Sequence, residues 1–184
     1  MIKNIFSTPI YTSTLDDQIA DKVENIVVPK LNLLSQMETN KTDYFSPTKV
    51  VNFNEVSFLF DEINKAAEDY CIQTDTFKGN NISYWVQDYQ KEEHHESHAH
   101  PGSFLSGVYY IRANENAGDI MFQNPNPHVY FTPYQNNRMV EHHTHRVKPH
   151  KGLLVLFPYW LFHQVIPSKE LNTIRTCLAF NFLP

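Results

Sequence analysis

The chain has 184 residues, of which 41% are hydrophobic and 19% charged, enough for one domain with its own core and too few for two ordinary ones. Fifteen Lys and Arg stand against 20 Asp and Glu, a net charge of -5, which leaves no basic footprint for nucleic acid or an anionic membrane surface. An aromatic share of 14% with only 5 Gly and 11 Pro excludes a disordered or low-complexity chain. All ten histidines lie between His94 and His163, and that segregation asks for a reason.

Two cysteines, Cys71 and Cys177, are too few for a disulfide framework and read as buried small apolar residues of a reducing compartment. The N-terminus lacks the apolar run of a leader, and the most apolar stretch, Leu153 to Phe157, is far too short for a membrane span. The expectation is a soluble, cytoplasmic protein.

The first half is written in helical period. Leu15, Ile19, Val23, Ile26 and Val27 share one face, with Thr14 as the expected N-cap, Asp17 three residues on and Pro29 as the expected stop. A second helix is expected after Asn54 as cap, with Val56, Leu59, Phe60, Ile63, Ala67 and Tyr70 on one face. Residues 35–53 read as a polar connector. Neither apolar face carries a titratable cluster, so both helices read as support for a sheet.

From about Ile82 the period becomes two. Strands are expected at Ile82–Tyr89, Phe104–Arg112, Asp119–Phe122, Met139–Val147, Leu153–Phe157, His163–Ile166 and Ile174–Phe182. Glycines at 102, 118 and 152 punctuate them. Consecutive short strands without intervening helices mean a sandwich, a jelly roll or a small barrel. The chain thus reads as one domain, with helical support over about 1–80 and a β-barrel carrying the site over about 81–184.

The densest chemistry lies in Glu93-His94-His95-Glu96-Ser97-His98-Ala99-His100-Pro101. On a strand, residues two apart face the same side, so His98 and His100 would aim two neutral nitrogens at one metal ion. His94-His95-Glu96 and His143-Thr144-His145 offer similar spacings. A third ligand candidate is His163, a histidine among apolar neighbours that starts a strand. A core histidine bonded to a backbone carbonyl is its structural alternative. Arg175 stands in a strand where nearly everything else is apolar. Its charge cannot be shed, so it needs an internal carboxylate or a ligand's.

In this order, His98-x-His100-Pro, Ser106-Gly-Val-Tyr-Tyr-Ile, Gly118-Asp-Ile-Met-Phe, Gly152-Leu-Leu-Val-Leu-Phe-Pro with His163, and then Arg175, the chain resembles an iron(II)/2-oxoglutarate-dependent oxygenase. More narrowly, it is similar to small bacterial and viral oxygenases with an opening stretch like Ile5-Phe6-Ser7-Thr8-Pro9-Ile10-Tyr11. The resemblance implies a double-stranded β-helix, a cupin-like jelly roll that is mostly β with N-terminal helices outside it. It implies Fe(II) on His98, His100 and His163, with 2-oxoglutarate and O2 as co-substrates. Arg175 and Tyr110 would grip the far carboxylate of 2-oxoglutarate, with Ser106 and Val108 on the same strand face and no catalytic residue beyond the metal site. Glu96, which shares strand parity with His98, and Glu93 would serve as substitute ligand or support for the ligands, His94 and Asn181 would support them, and His95 stands nearby.

The chain departs from the usual pattern at His100, where a carboxylate normally completes the triad, so one negative charge is missing from the metal. The activity implied is oxidative decarboxylation of 2-oxoglutarate coupled to oxidation, in the first place hydroxylation, of a small-molecule or peptide-side-chain substrate. No nucleic-acid or membrane partner is implied, and a homodimer is compatible. Two alternatives stay open: a cupin-like three-histidine dioxygenase or metal-binding protein that uses no 2-oxoglutarate, and a jelly roll without catalysis. Trp85, Tyr89, Tyr130, Tyr134, Tyr159 and Trp160 are candidates for the rim. His128 reads as a loop residue, and His142, His143, His145 and His150 as largely exposed.

Overall fold

The computed structural model describes residues 7–37, 50–126, 143–168 and 170–184. Nine strands fall into two antiparallel sheets, named in chain order: β1 Tyr11–Thr14, β2 Asn81–Tyr89, β3 His95–His98, β4 Leu105–Ala113, β5 Ile120–Gln123, β6 Thr144–Val147, β7 Leu153–Pro158, β8 His163–Val165 and β9 Arg175–Leu183. The first sheet has the order β1-β7-β4-β9-β2 and the second β3-β8-β5-β6. Two helices, α1 Asp17–Met37 and α2 Ser57–Thr74, cover the outside of the five-stranded sheet.

The five-stranded sheet is buried on both faces, and its central strands sort their side chains between two cores. Leu105, Tyr109 and Ile111 of β4, Leu154 and Leu156 of β7, and Leu178, Phe180 and Phe182 of β9 pack with Val23 and Val27 of α1 and with Leu59, Phe60, Ile63 and Ala67 of α2. The alternate residues, Val108 and Tyr110, Leu153, Val155 and Phe157, and Cys177, form a second core between the sheets with Ile120, Phe122 and Val165. Period-two alternation along one strand therefore separates helix support from barrel interior. Gly107, opposite Leu156 and Phe180, is needed for space: a Cβ there would stand 2.4 Å from the Phe180 ring.

The helix faces are those expected from the sequence, while the ends differ. Thr14 closes β1, opposite Leu153, and the cap is Asp16, whose Oδ1 accepts the Gln18 N–H at 2.8 Å. Helix α1 runs through Pro29. Both Pro29 and Asn25, the residue whose carbonyl loses its partner, are exposed, so the proline falls on the outer side of the helix, where a missing bond is tolerated best. Beyond the proline, Leu31 packs on the core and Lys30 pairs with Glu55.

The second helical segment opens two residues earlier than expected. Glu55 of a 3-10 turn, Phe53–Glu55, accepts the Asn52 N–H at 2.8 Å, so Asn52 and not Asn54 marks the start. Val50 and Val51 are buried, contrary to a polar connector throughout 35–53, because they close the gap beneath α2. Cys177 is buried as expected, while Cys71 is half-buried at the edge of the helical core. Of the expected strand Met139–Val147, Thr144–Val147 is a strand and Met139–His142 lies outside the described residues, as do His128, Tyr130 and Tyr134. Among the described residues no helix is long and apolar enough to cross a membrane.

Candidate functional site

His98, His100 and His163 come together between the two sheets, each offering a nitrogen within 4.8 Å of the others. His98 ends β3 and faces His163, the first residue of β8, as its direct cross-strand partner. His100 lies just past β3, where its N–H donates to the Tyr159 carbonyl at 2.8 Å. The His98 and His100 rings turn to the same side, 5.1 Å apart at 27°, and the chain turns only after them, at Pro101 and Gly102.

A bulge in β3 changes the parity within it. His95 pairs with Val165 and His98 with His163, three steps on one strand against two on the other. His95 and His98 thus share the inner side, and their rings stack at 4.0 Å and 21°. Glu96, expected to face inward, is exposed, as are Glu93 and His94. The contribution of Glu96 is its carbonyl, which accepts from His98 Nδ1 at 2.7 Å.

Each of the three imidazoles has its Nδ1 committed. His98 Nδ1–H donates to the Glu96 carbonyl, His163 Nδ1–H to the Leu161 carbonyl at 2.9 Å and His100 Nδ1–H to Asn181 Oδ1 at 2.5 Å. A carbonyl or amide oxygen only accepts, so these partners place the proton on Nδ1 and leave the lone pair on Nε2. Ser106 donates to the same Asn181 oxygen at 2.8 Å, so Ser106 and Asn181 act together on His100. Phe157 packs on His163 with ring centroids 4.5 Å apart, and Trp85 lies over His100 at 6.2 Å.

Burial is the first cause that holds the imidazoles neutral. The pKa of His163 falls to about 3, with the charge of His98 as the next cause, and that of His95 to about 4, where His98, His100, His94 and Arg175 add to the burial. His98 and His100 shift in the same direction. Neutral His100 and His163 hold their Nε2 atoms 3.3 Å apart. With both protons on Nδ1 this approach sets two lone pairs against each other, which a cation between them relieves. Two nitrogens bound at about 2.1 Å to one ion and at right angles sit about 3 Å apart, so the spacing fits a first-row metal ion.

Arg175 opens β9 and is 2% exposed. Its Nη2 donates to the Tyr110 hydroxyl at 3.4 Å, and the guanidinium lies over the Tyr89 ring at 4.8 Å. Its Nε and Nη1 are buried without a hydrogen-bond partner. Asp88, on the strand paired with β9, is engaged by Arg112 at 3.2 Å and by Thr176. A buried cation with two unsatisfied donors is costly alone and suits the carboxylate of a bound anion. Burial pushes the Tyr110 hydroxyl up to about 12, so it stays protonated and offers one more donor.

The remaining candidates divide. Tyr89 lies against Arg175 and Trp85 against His100, whereas Tyr159 and Trp160 are partly exposed, at 37% and 43%. His145 and His150 are exposed and His143 is half-buried. His145 is the cross-strand partner of Phe122, itself opposite His163, so it shares the row of the sheet that contains His163, at its edge strand. His142, Tyr130 and Tyr134 fall outside the described residues.

Comparison with known proteins bears on this arrangement. No curated protein sequence matches the chain. Among solved structures, a Pseudomonas putida prolyl-4-hydroxylase is similar with TM-score 0.61 and 16% identity, over 96% of this chain and 88% of that one. A prolyl hydroxylase from Trichoplax adhaerens, solved with a hypoxia inducible factor peptide fragment, gives 0.62 and 13%, over 95% and 83%. AviO1 from Streptomyces viridochromogenes gives 0.63 and 11%, over 96% and 90%. At these identities the likeness is one of fold, the double-stranded β-helix. The model of the family described as "Putative 2OG-Fe(II) oxygenase" matches residues 83–181, a stretch of more than half the chain that contains all three imidazoles, Tyr110, Arg175 and Asn181. The protein belongs to the 2OG-Fe(II) oxygenase family.

Proposed function

We propose that the protein is an Fe(II)/2-oxoglutarate-dependent dioxygenase whose iron is held by His98, His100 and His163. The observation that carries this reading is the convergence of three Nε2 lone pairs, two of them 3.3 Å apart, in the same interior as a buried guanidinium with two unpartnered donors. Bound there, iron with 2-oxoglutarate and O2 supplies oxidative decarboxylation to succinate and carbon dioxide, coupled to oxidation of a substrate C–H bond by hydroxylation.

The chain's own part is to bind, orient and exclude water. Three imidazoles on one side of the ion leave its other positions open. Arg175 supplies a fork of donors for the far carboxylate of 2-oxoglutarate, and the Tyr110 hydroxyl adds one more. Asn181, held by Ser106, fixes the ring plane of His100. Val108, Val155, Phe157 and Phe122 line the interior with hydrocarbon, which keeps the local dielectric low and side reactions with water down. The substrate is a small molecule or a peptide side chain that enters at the rim.

Anaerobic titration with 2-oxoglutarate tests the reading. It binds iron-loaded protein and not metal-free protein, and admission of air yields succinate. Iron-loaded protein that neither binds 2-oxoglutarate nor makes succinate sinks it. The all-imidazole donor set favours one competing reading, a three-histidine dioxygenase in which Arg175 holds the substrate's own carboxylate. Micromolar 2-oxoglutarate binding that depends on Arg175 eliminates it.

A further inference from the structure

The three metal-facing imidazoles are not equally held. His163 is buried, tied to the Leu161 carbonyl and packed on Phe157. His100 is tied to a side chain, Asn181, that Ser106 holds in turn. His98 is only half-buried at the end of a four-residue strand, and its one hydrogen bond runs to a backbone carbonyl two residues back. A single bond of that kind sets a direction and leaves the ring plane to its neighbours, of which His163 lies tilted at 4.3 Å and 52° and His100 stands off at 5.1 Å, while His95 is nearest and most parallel.

We propose that His95 is a positioning residue of the metal centre: its ring face, stacked on His98 at 4.0 Å and 21°, fixes the plane in which His98 presents its Nε2. The bulge in β3 is the device that puts it there. Three residues apart on a regular strand, His95 and His98 would point to opposite sides; the extra residue between the pairs His95–Val165 and His98–His163 brings both inward and turns Glu96 and Ser97 out. Ser97 then accepts the Gln123 Nε2–H at 2.7 Å, which ties the bulge to β5 on the outer side. Near-parallel rings at this distance touch through their faces, so the support the stack gives His98 calls for a flat ring at position 95.

This inference rests on reading His98, His100 and His163 as metal ligands, and cobalt(II) binding separates the two. Wild-type protein purified without a histidine tag takes up one Co(II) with visible d–d absorption of an imidazole-bound ion. In His95→Ala the Co(II) dissociation constant rises about tenfold and the d–d bands broaden, as expected when the support of a ligand is removed. In His95→Phe the affinity returns to within about twofold of wild type and the bands sharpen again. His95→Ala binding as tightly as wild type overturns the proposal. So does a natively folded His95→Phe, judged by circular dichroism, that binds as weakly as His95→Ala; this arm decides the matter even where the alanine variant fails to fold. Failure of wild type to bind Co(II) at all would instead sink the metal-ligand reading itself.

Discussion

The two faces of the five-stranded sheet are made by the same strands and have opposite tolerances. Toward the helices β4, β7 and β9 present large apolar side chains closed over by α1 and α2. Toward the barrel interior β4 and β9 present, among apolar neighbours, Ser106, Tyr110, Arg175 and Asn181, buried or half-buried. In the helical core the polar atoms are tyrosine hydroxyls, of which Tyr70 and Tyr84 donate to the backbone carbonyls of Pro9 and Val51, whereas in the interior Ser106 and Asn181 serve an imidazole and Arg175 keeps two donors open for a ligand. Stability and chemistry are thus divided along one sheet, residue by residue, and damage on one face should leave the other nearly untouched.

The sharpest way to break that division is Phe60→Ala. Phe60 is fully buried between Phe53 and Tyr84, so its loss destabilises the fold by about 3–5 kcal/mol, read from urea unfolding. Co(II) affinity of the folded fraction stays at the wild-type value; a parallel loss of affinity would mean the faces are coupled. Next comes Arg175→Met, which removes the buried fork and leaves volume in place. Affinity of the metal-loaded protein for 2-oxoglutarate falls by about two orders of magnitude while metal uptake persists. The metal-free protein does not lose stability, because an under-satisfied buried charge has been exchanged for hydrocarbon. Asn181→Leu is milder: Ser106 and His100 both lose their acceptor, and Co(II) affinity drops about tenfold with the 2-oxoglutarate affinity of saturated protein little changed.

How much of this was legible in the residues depends on what each feature obeys. The apolar faces of both helices, seven of the strands and the order of His98, His100, His163 and Arg175 follow from periodicity and residue chemistry, which are local. The bulge in β3 is not local: its register is set by Val165 and His163 of a strand more than sixty residues away. Parity counting therefore turned Glu96 inward and left His95 merely nearby. Pro29 reads as a stop because proline lacks a donor, yet the fold keeps Asn25 and Pro29 on the exposed side and lets Leu31 compensate with core contacts. Strand β1 is four residues whose hydrogen bonds exist only because β7 offers an edge, and no pattern within Tyr11–Thr14 announces it.

The smallest expected effect distinguishes the faces by pH. The interior groups that ordinarily titrate near neutral pH are imidazoles held neutral, above all by burial, with the pKa of His163 lowered from 6.5 to about 3; among the described residues the helical core holds no histidine. The unfolded chain takes up a proton on each of these histidines near pH 6.5; in the folded metal-free protein burial lowers them all, His163 to about 3. Below pH 6.5 the unfolded state binds more protons, so stability falls as pH falls, continuing toward the folded pKa, while above about pH 7 these groups contribute nothing. At about pH 6 the share of buried His163 is below about 1 kcal/mol, growing by about 1.4 kcal/mol for each further unit. The melting temperature of metal-free protein should therefore be level from about pH 8 to 7 and decline below about 6.5. His163→Phe should make the decline shallower, and a Phe60→Ala protein, weaker at every pH, should keep the wild-type slope. An equal slope in wild type and His163→Phe would show that the interior histidine is not desolvated, and the contrast between the two faces would then rest on packing alone.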